Sequence, residues 1–234
     1  MNEVVIVTGG SSGIGEATVR LLREKGCRVY EFSRRAVAGD ANHYGVDVTD
    51  EQSVKSAVEA VFSREGRIDV LINNAGFGIS GAIEYTDTEE AKRQFDVNFF
   101  GMVRVNRTVL PIMHRQGHGR IINMSSVAAP IAIPFQAYYS ASKAAVRTYT
   151  MALYSEVKPY GIEVCAIMPG DIATGFTDAR EKTVAGEDVY PKAASAVAKM
   201  EQDERNGMPP SSVARLALRL AGRKHPPVRV AVGI

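Results

Sequence analysis

The sequence predicts an α/β fold: a doubly wound parallel sheet in three α/β/α layers, built as a single domain over residues 1–234. Three observations carry that expectation. Short β-rich runs alternate with helical spacing along almost the whole chain. Several of these runs are nearly continuous in Val and Ile, the pattern of strands covered on both faces. The first run passes directly through a glycine-rich turn into a helix. A chain of 234 residues, 45% hydrophobic and 23% charged, can bury such a core without disulfides or metals. Its 28 basic residues are offset by 26 acidic ones, which removes nucleic acid as an expected partner.

In chain order, residues 4–7, 28–32, 69–72, 120–124, 163–167 and 228–232 read as strands. Residues 15–25, 51–64, 89–116, 139–160 and 211–221 carry helical spacing. Asp50 is placed to cap the second helix and Thr88 the third. Residues 171–210 break the alternation. They hold Gly175, Gly186, Gly207 and a closing pair of prolines, and so long an irregular stretch is expected to be a substrate lid. The charged run at 201–205 reads as a solvated helix face.

Cys27 and Cys165 each lie beside apolar runs and read as small core residues. His43, His114, His118 and His225 have no metal-binding spacing, so no metal site is expected. No apolar run reaches the 18 or so residues of a membrane span, and the first residues do not resemble a signal peptide. A cytoplasmic protein without a membrane span is therefore expected.

The first turn reads Thr8-Gly-Gly-Ser-Ser-Gly-Ile-Gly15. A strand–glycine loop–helix unit aims backbone N–H groups and the positive helix end at one point, where a pyrophosphate can sit. Gly9 permits the tight turn, Gly13 the approach of phosphate, and Gly15 close packing of the helix. A nucleotide-triphosphate loop would need Lys and then Ser or Thr after Gly15. Glu16 and Ala17 stand there instead.

Further along, Tyr139 and Lys143 are four residues apart on one helix, hence on one face. A free tyrosine has a pKa near 10, and a neighbouring ammonium stabilises its phenolate. Tyr154 and Lys158 repeat the spacing, but they lie roughly 22 Å further along the same helix at about 1.5 Å per residue. Ligands of such sheets bind beyond the carboxyl ends of the strands, where this helix begins. That favours Tyr139. The strand at 120–124 delivers Ser125 and Ser126 to the same edge.

The glycine turn, Asn73-Asn-Ala-Gly76 and Tyr139-xxx-Lys143, in this order, resemble the short-chain dehydrogenase/reductase family. The resemblance implies a Rossmann-type fold, a nicotinamide cofactor and alcohol–carbonyl chemistry. It implies homodimers or homotetramers built through the helices at 89–116 and 139–160. The family serine stands 13 residues before the tyrosine, which selects Ser126, and Asn98 matches the asparagine that holds a water in a proton relay with the lysine. Catalysis is thus expected from Asn98, Ser126, Tyr139 and Lys143.

The same resemblance implies cofactor contacts from Gly9, Ser11, Ser12, Gly13, Ile14 and Gly15. Asp47 and Val48 fall at the adenine, with Asn74 along the adenosine side. Tyr139 and Lys143 would also touch the cofactor, as would Pro169, Gly170, Ile172 and Thr174 of the segment after the fifth strand. Ser33 occupies the position where an acidic residue would select NAD, and Arg34 follows it. A hydroxyl and a guanidinium suit a 2′-phosphate, so NADP(H) is expected. Glu31, on the same strand face as Ser33, leaves NAD(H) as the alternative.

Phe77, Ile79, Ile131, Phe135 and Phe176 are expected around the mouth, implying a small, apolar ketone or alcohol substrate. Residues 94–101 and the C-terminal run resemble hydroxysteroid and retinol dehydrogenase-like members, and a 3-oxoacyl thioester reductase is a second relative of the same kind. A sugar epimerase would need a larger substrate domain. A non-catalytic NADP-binding regulator is the remaining rival on this fold.

Overall fold

Val4, Val5, Ile6 and Val7 are fully buried, and β1 (Val4–Thr8) is the strand around which the molecule is organised. The computed structural model describes residues 2–35, 39–186 and 188–233; residues 1, 36–38, 187 and 234, which belong in part to the expected domain and lid, lie outside them. β1 pairs in parallel with β2 (Arg28–Ser33) on one side and β4 (Val70–Asn73) on the other. β3 (His43–Gly45) adds to β2, and β6 (Gly119–Met124), β7 (Ile162–Pro169) and β9 (Arg229–Val232) extend the far side. The strand order among the described residues is β3-β2-β1-β4-β6-β7-β9, so the order reverses between β1 and β4. A second, two-stranded sheet joins β5 (Ile79–Ser80) to β8 (Glu181–Lys182).

The helices form the outer layers. α1 (Gly13–Glu24) and α7 (Pro210–Gly222) cover one face with Val19, Leu22, Val213, Ala217 and Leu220. α2 (Glu51–Glu65), α4 (Met102–Gln116) and α5 (Ala137–Val157) cover the other with Val54, Val58, Val105, Val109 and Leu153. Each of these valines and leucines contributes roughly 2 kcal/mol by leaving water. Cys27 and Cys165 are buried free thiols, as expected.

Several local expectations change. The helix expected at 89–116 is α3 (Thr88–Phe95), a π turn over Asp96–Gly101, and then α4. Thr88 is not the cap of α3. Asp87 is, accepting from Glu89 N at 2.8 Å, while the Glu90 carboxylate accepts from Asp87 N at 3.3 Å. The 171–210 stretch is less irregular than expected, because it contains β8 and α6 (Ala193–Arg205). Nor is 201–205 wholly a solvated face: Glu201 is buried, within 2.6 Å of Lys182 and 3.8 Å of Arg180.

Candidate active site

Four strands deliver their C-terminal residues to one edge. β1 ends in Thr8 and the glycine loop, β4 in Asn73, β6 in Met124, and β7 in Pro169. The loop is pinned from below. Thr8 Oγ1 accepts from the backbone N–H groups of Asn74 and Ala75, and Asn74 Nδ2 donates to Gly9 O at 2.9 Å. Asn74 thus shapes the turn rather than standing free beside it. Gly9 has φ 65°, and a Cβ on Gly15 would sit 2.1 Å from Gly9 O. Ser12, the residue before α1, makes no side-chain cap, which leaves the first N–H groups of the helix to a ligand. Thr174 packs against this loop: a Cβ on Gly13 would lie 3.3 Å from its side chain. The cradle therefore fits a dinucleotide pyrophosphate, with Ser11, Ser12, Gly13 and Ile14 around it.

Just beyond β3, the Asp47 carboxyl would be raised by its partial burial. Hydrogen bonds from Thr49 and the positive charges of Arg34 and Arg104 hold it below its ordinary value instead. Val48 packs where a Cβ on Gly101 would stand. Ser33 ends β2 and is buried, with Oγ 3.1 Å from both Glu31 Oε2 and the Arg35 carbonyl. The His43 Nδ1 lies 2.5 Å from the same Glu31 oxygen.

The reacting edge brings the sequence candidates together. Tyr139 is half-buried at the start of α5, near enough to Ser126 for the serine to act on its phenol. Burial pushes the phenol up to about 12, with Ser126 and Arg180 acting downward and Glu204 upward. Lys143 is buried and pushed down to about 8 by desolvation. Its Nζ donates to Met124 O at 2.9 Å and stands 5.8 Å from the Tyr139 ring centroid. The expected acidification of Tyr139 by Lys143 does not appear in this arrangement, because the ammonium faces a carbonyl and desolvation dominates both groups. Ser126 Oγ also accepts from Ala128 N at 3.1 Å, and Ser125 donates to the Lys143 carbonyl at 2.8 Å.

Asn98 sits in the π turn and is 2% exposed. Its Oδ1 accepts from Phe77 N and its Nδ2 donates to Phe77 O and Ser142 Oγ. A Cβ on Gly76 would lie 3.0 Å from Asn98 Oδ1 and 3.6 Å from Lys143 Nζ, so both residues flank one glycine. Behind them, Asn73 Nδ2 donates to Asn106 Oδ1 and Asn123 Oδ1, and Asn123 Nδ2 donates to Thr150. Sequence reasoning passed over this ladder, since nothing in the spacing of three asparagines shows that they meet.

Beyond the strand edge, the Phe176 ring packs against Tyr139 at 5.7 Å between centroids, and the Arg180 guanidinium lies over the Phe176 ring at 5.8 Å. Arg180 is buried and pairs with Glu204, whose other oxygen accepts from Thr177 at 2.7 Å. Ile79 is buried rather than lining the mouth, whereas Ile131 is exposed. At the base, Gly170 N donates to Val232 O, and Ile172 bridges to Met208. Pro169 O accepts from Val127 N. No group of metal-binding side chains occurs among the described residues, and no described helix is long and apolar enough to cross a membrane.

Residues 3–185 match the family model described as short chain dehydrogenase. The chain is 44% identical to the 3-ketodihydrosphingosine reductase of Bacteroides thetaiotaomicron, over 99% of its own length and 88% of that protein. It resembles the solved structure of a short-chain dehydrogenase from Streptomyces avermitilis with TM-score 0.89 and 31% identity, covering 99% of this chain and 88% of that one. A 3-ketoacyl-(acyl-carrier-protein) reductase from Brucella melitensis, complexed with NADH, superposes with TM-score 0.82 at 26% identity, covering 98% and 95%. A glycine cradle and a Ser–Tyr–Lys group on one edge of a parallel sheet thus meet a family match over most of the chain: this protein belongs to the short-chain dehydrogenase family, oxidoreductases that use a nicotinamide dinucleotide on alcohol and keto groups.

Proposed function

We propose that the protein is an NADP(H)-dependent oxidoreductase that interconverts a secondary alcohol and a ketone, with Tyr139 as general acid and base. The observation that carries this reading is the meeting of Ser126, Tyr139 and Lys143 at the carboxyl edge, with Lys143 Nζ 5.8 Å from the Tyr139 ring centroid one turn along α5. The nicotinamide dinucleotide, when bound, supplies or accepts the hydride. In reduction, Ser126 holds the substrate oxygen and Tyr139 donates the proton to it. A phenol raised to about 12 is protonated at neutral pH, the state a proton donor needs. Lys143 would hold the cofactor ribose and return the proton to Tyr139, with Asn98 fixing the Phe77 turn beside it.

The expected cofactor contacts follow the cradle: residues 9–15, Ser33, Arg34, Asp47, Val48 and Asn74, then Tyr139, Lys143, Pro169, Gly170, Ile172 and Thr174. Residues 171–210 serve as the substrate lid, with Phe176 above Tyr139. The relative's name and the exposed apolar rim, Ile83, Ile131, Val184 and Val189, support a long-chain ketone as substrate. Exposed Phe100, in the π turn before α4, and Met151 of α5 support a homodimer or homotetramer built on α4 and α5; a cytoplasmic location is part of the same proposal.

The test is oxidation of NADPH by a panel of ketones that includes 3-keto sphingoid bases, followed at the nicotinamide absorbance. Tyr139→Phe should lower turnover by about 10³-fold while NADPH still binds. Unchanged turnover in this variant overturns the assignment.

A further inference from the structure

One face of the small sheet made by β5 and β8 carries polar groups that the proposed reaction does not use. Ser80 of β5 pairs with Lys182 of β8, and Glu181 N donates to Gly78 O at 3.0 Å, so Gly78 lies across from Arg180 just before those strands. Side chains alternate along a strand, which puts Ser80, Arg180 and Lys182 on one face with the bare Gly78. α6 covers that face with Glu201, whose Oε1 lies 2.6 Å from Lys182 Nζ and 3.8 Å from Arg180 Nη1.

Two of these groups are buried with hydrogen-bonding capacity unused. The Arg180 side chain is 1% exposed; its Nη2 donates to Glu204, while Nε and Nη1 have no hydrogen-bond partner among the described residues. Ser80 is 3% exposed, and its Oγ has no partner there either. Buried donors left unpaired cost free energy that an acceptor recovers. The way to the reacting edge runs past Gly78. A Cβ there would stand 3.1 Å from the Phe176 ring and 3.6 Å from Arg180 Nε. Half-buried Phe176 contacts both Tyr139 and Arg180, and the charges of Arg180 and Glu204 both reach the phenol. Those charges also define the ligand. The guanidinium is matched by Glu204 and neighboured by Glu201, so an anion brought here meets two carboxylates. A neutral oxygen meets unpaired N–H groups and a hydroxyl instead.

We propose that Arg180 and Ser80 form a head-group subsite that takes a hydroxyl oxygen of the substrate, a few bonds from the carbonyl held at Tyr139, once the Phe176 ring turns aside. The substrate class is then a hydroxy ketone whose apolar chain leaves along the exposed rim. A 3-keto sphingoid base, with a hydroxyl on the carbon next but one to its ketone, is of this class. Arg180 and Ser80 are specificity-determining residues, and neither moves a proton. The proposal rests on the alcohol–ketone reading of Tyr139 and deepens it.

The experiment compares kcat/KM of the full chain, with NADPH, for a 3-keto sphingoid base and for its 1-deoxy analogue, which lacks only that hydroxyl. The wild type should favour the hydroxylated ketone about 30-fold, the effect of one hydrogen bond to a charged group. Arg180→Met should bring this ratio down to about threefold, mostly through KM, and Ser80→Ala should lower it about fivefold. A purely structural role does not move the ratio, because loosened packing slows both ketones alike. A circular-dichroism melt checks that each variant folds, and Ser80→Ala alone decides the matter if Arg180→Met does not. Equal kcat/KM for the two ketones in the wild type overturns the proposal. So does a ratio that stays at the wild-type value in the folded variants. Reduction of neither, while other ketones are reduced and Tyr139→Phe stops them, overturns the subsite and leaves the oxidoreductase reading standing. Reduction of no ketone at all overturns both.

Discussion

The ammonium of Lys143 meets a carbonyl dipole rather than a carboxylate, and burial brings it down to about 8 from 10.5. The sign for stability follows from that direction. Below about pH 8 the folded state carries a buried charge; between about 8 and 10.5 the unfolded chain binds more protons, so stability rises with pH through that window. The full effect is roughly 3 kcal/mol. Lys143→Met should lose this rise, and denaturant unfolding of both proteins at pH 7.5 and 10 measures it. Parallel curves at the two pH values would remove the claim. At this scale the catalytic groups were legible because they sit in short motifs: Tyr139 and Lys143 by helical spacing, the glycines by their turn. Glu31 with His43, and Arg180 with Glu204, are 12 and 24 residues apart in sequence. Only strand pairing and lid folding bring those partners together, and no local pattern records it.

Among the elements, helix starts obey local chemistry. Asp50 accepts from Gln52 N at 2.8 Å and Ser53 N at 3.2 Å, as its place before α2 led one to expect. Asp50→Ala should cost about 1 kcal/mol in denaturant unfolding with turnover unchanged. The third helix was read one residue late at its cap and without its interruption. Apolar spacing continues through 89–116, so periodicity cannot register the extra residue that a π turn inserts. That residue aims Asn98 at Phe77. The 171–210 stretch shows the reverse case, since glycine and proline content hid α6. Arg180 anchors that helix from beneath Phe176, and Arg180→Met would leave half-buried Glu204 without its cation and buried Glu201 with one cation fewer. About 3 kcal/mol of lid stability should go with it, seen as faster proteolysis within 171–210 and a higher KM for the ketone. Proteolysis at the wild-type rate would show that the pair anchors nothing.

For the whole molecule, the alternation of strands and helices carried the fold, because buried parallel strands must be apolar on both faces. Strand order and the small β5–β8 sheet were not legible, being set by pairing across long separations. Assembly belongs at this scale too. Phe100 is 48% exposed beside α4, and Phe100→Glu should shift the proposed oligomer toward monomer in sedimentation velocity. An unaltered profile would place the contact elsewhere. The asparagine ladder has a further bearing. Its hydrogen bonds cross from β4 to α4 and to β6, and from β6 to α5, each group pointing its amide one way. Turning Asn106 or Asn123 would set donor against donor, and turning Asn73 would set acceptor against acceptor, in the dry interior. The four elements therefore cannot loosen singly, and their backbone amides should exchange with deuterium together, as one slow class. The floor of the reacting edge is held rigid in this way, while the proposed lid, which shares none of these amide bonds, should exchange in a separate class.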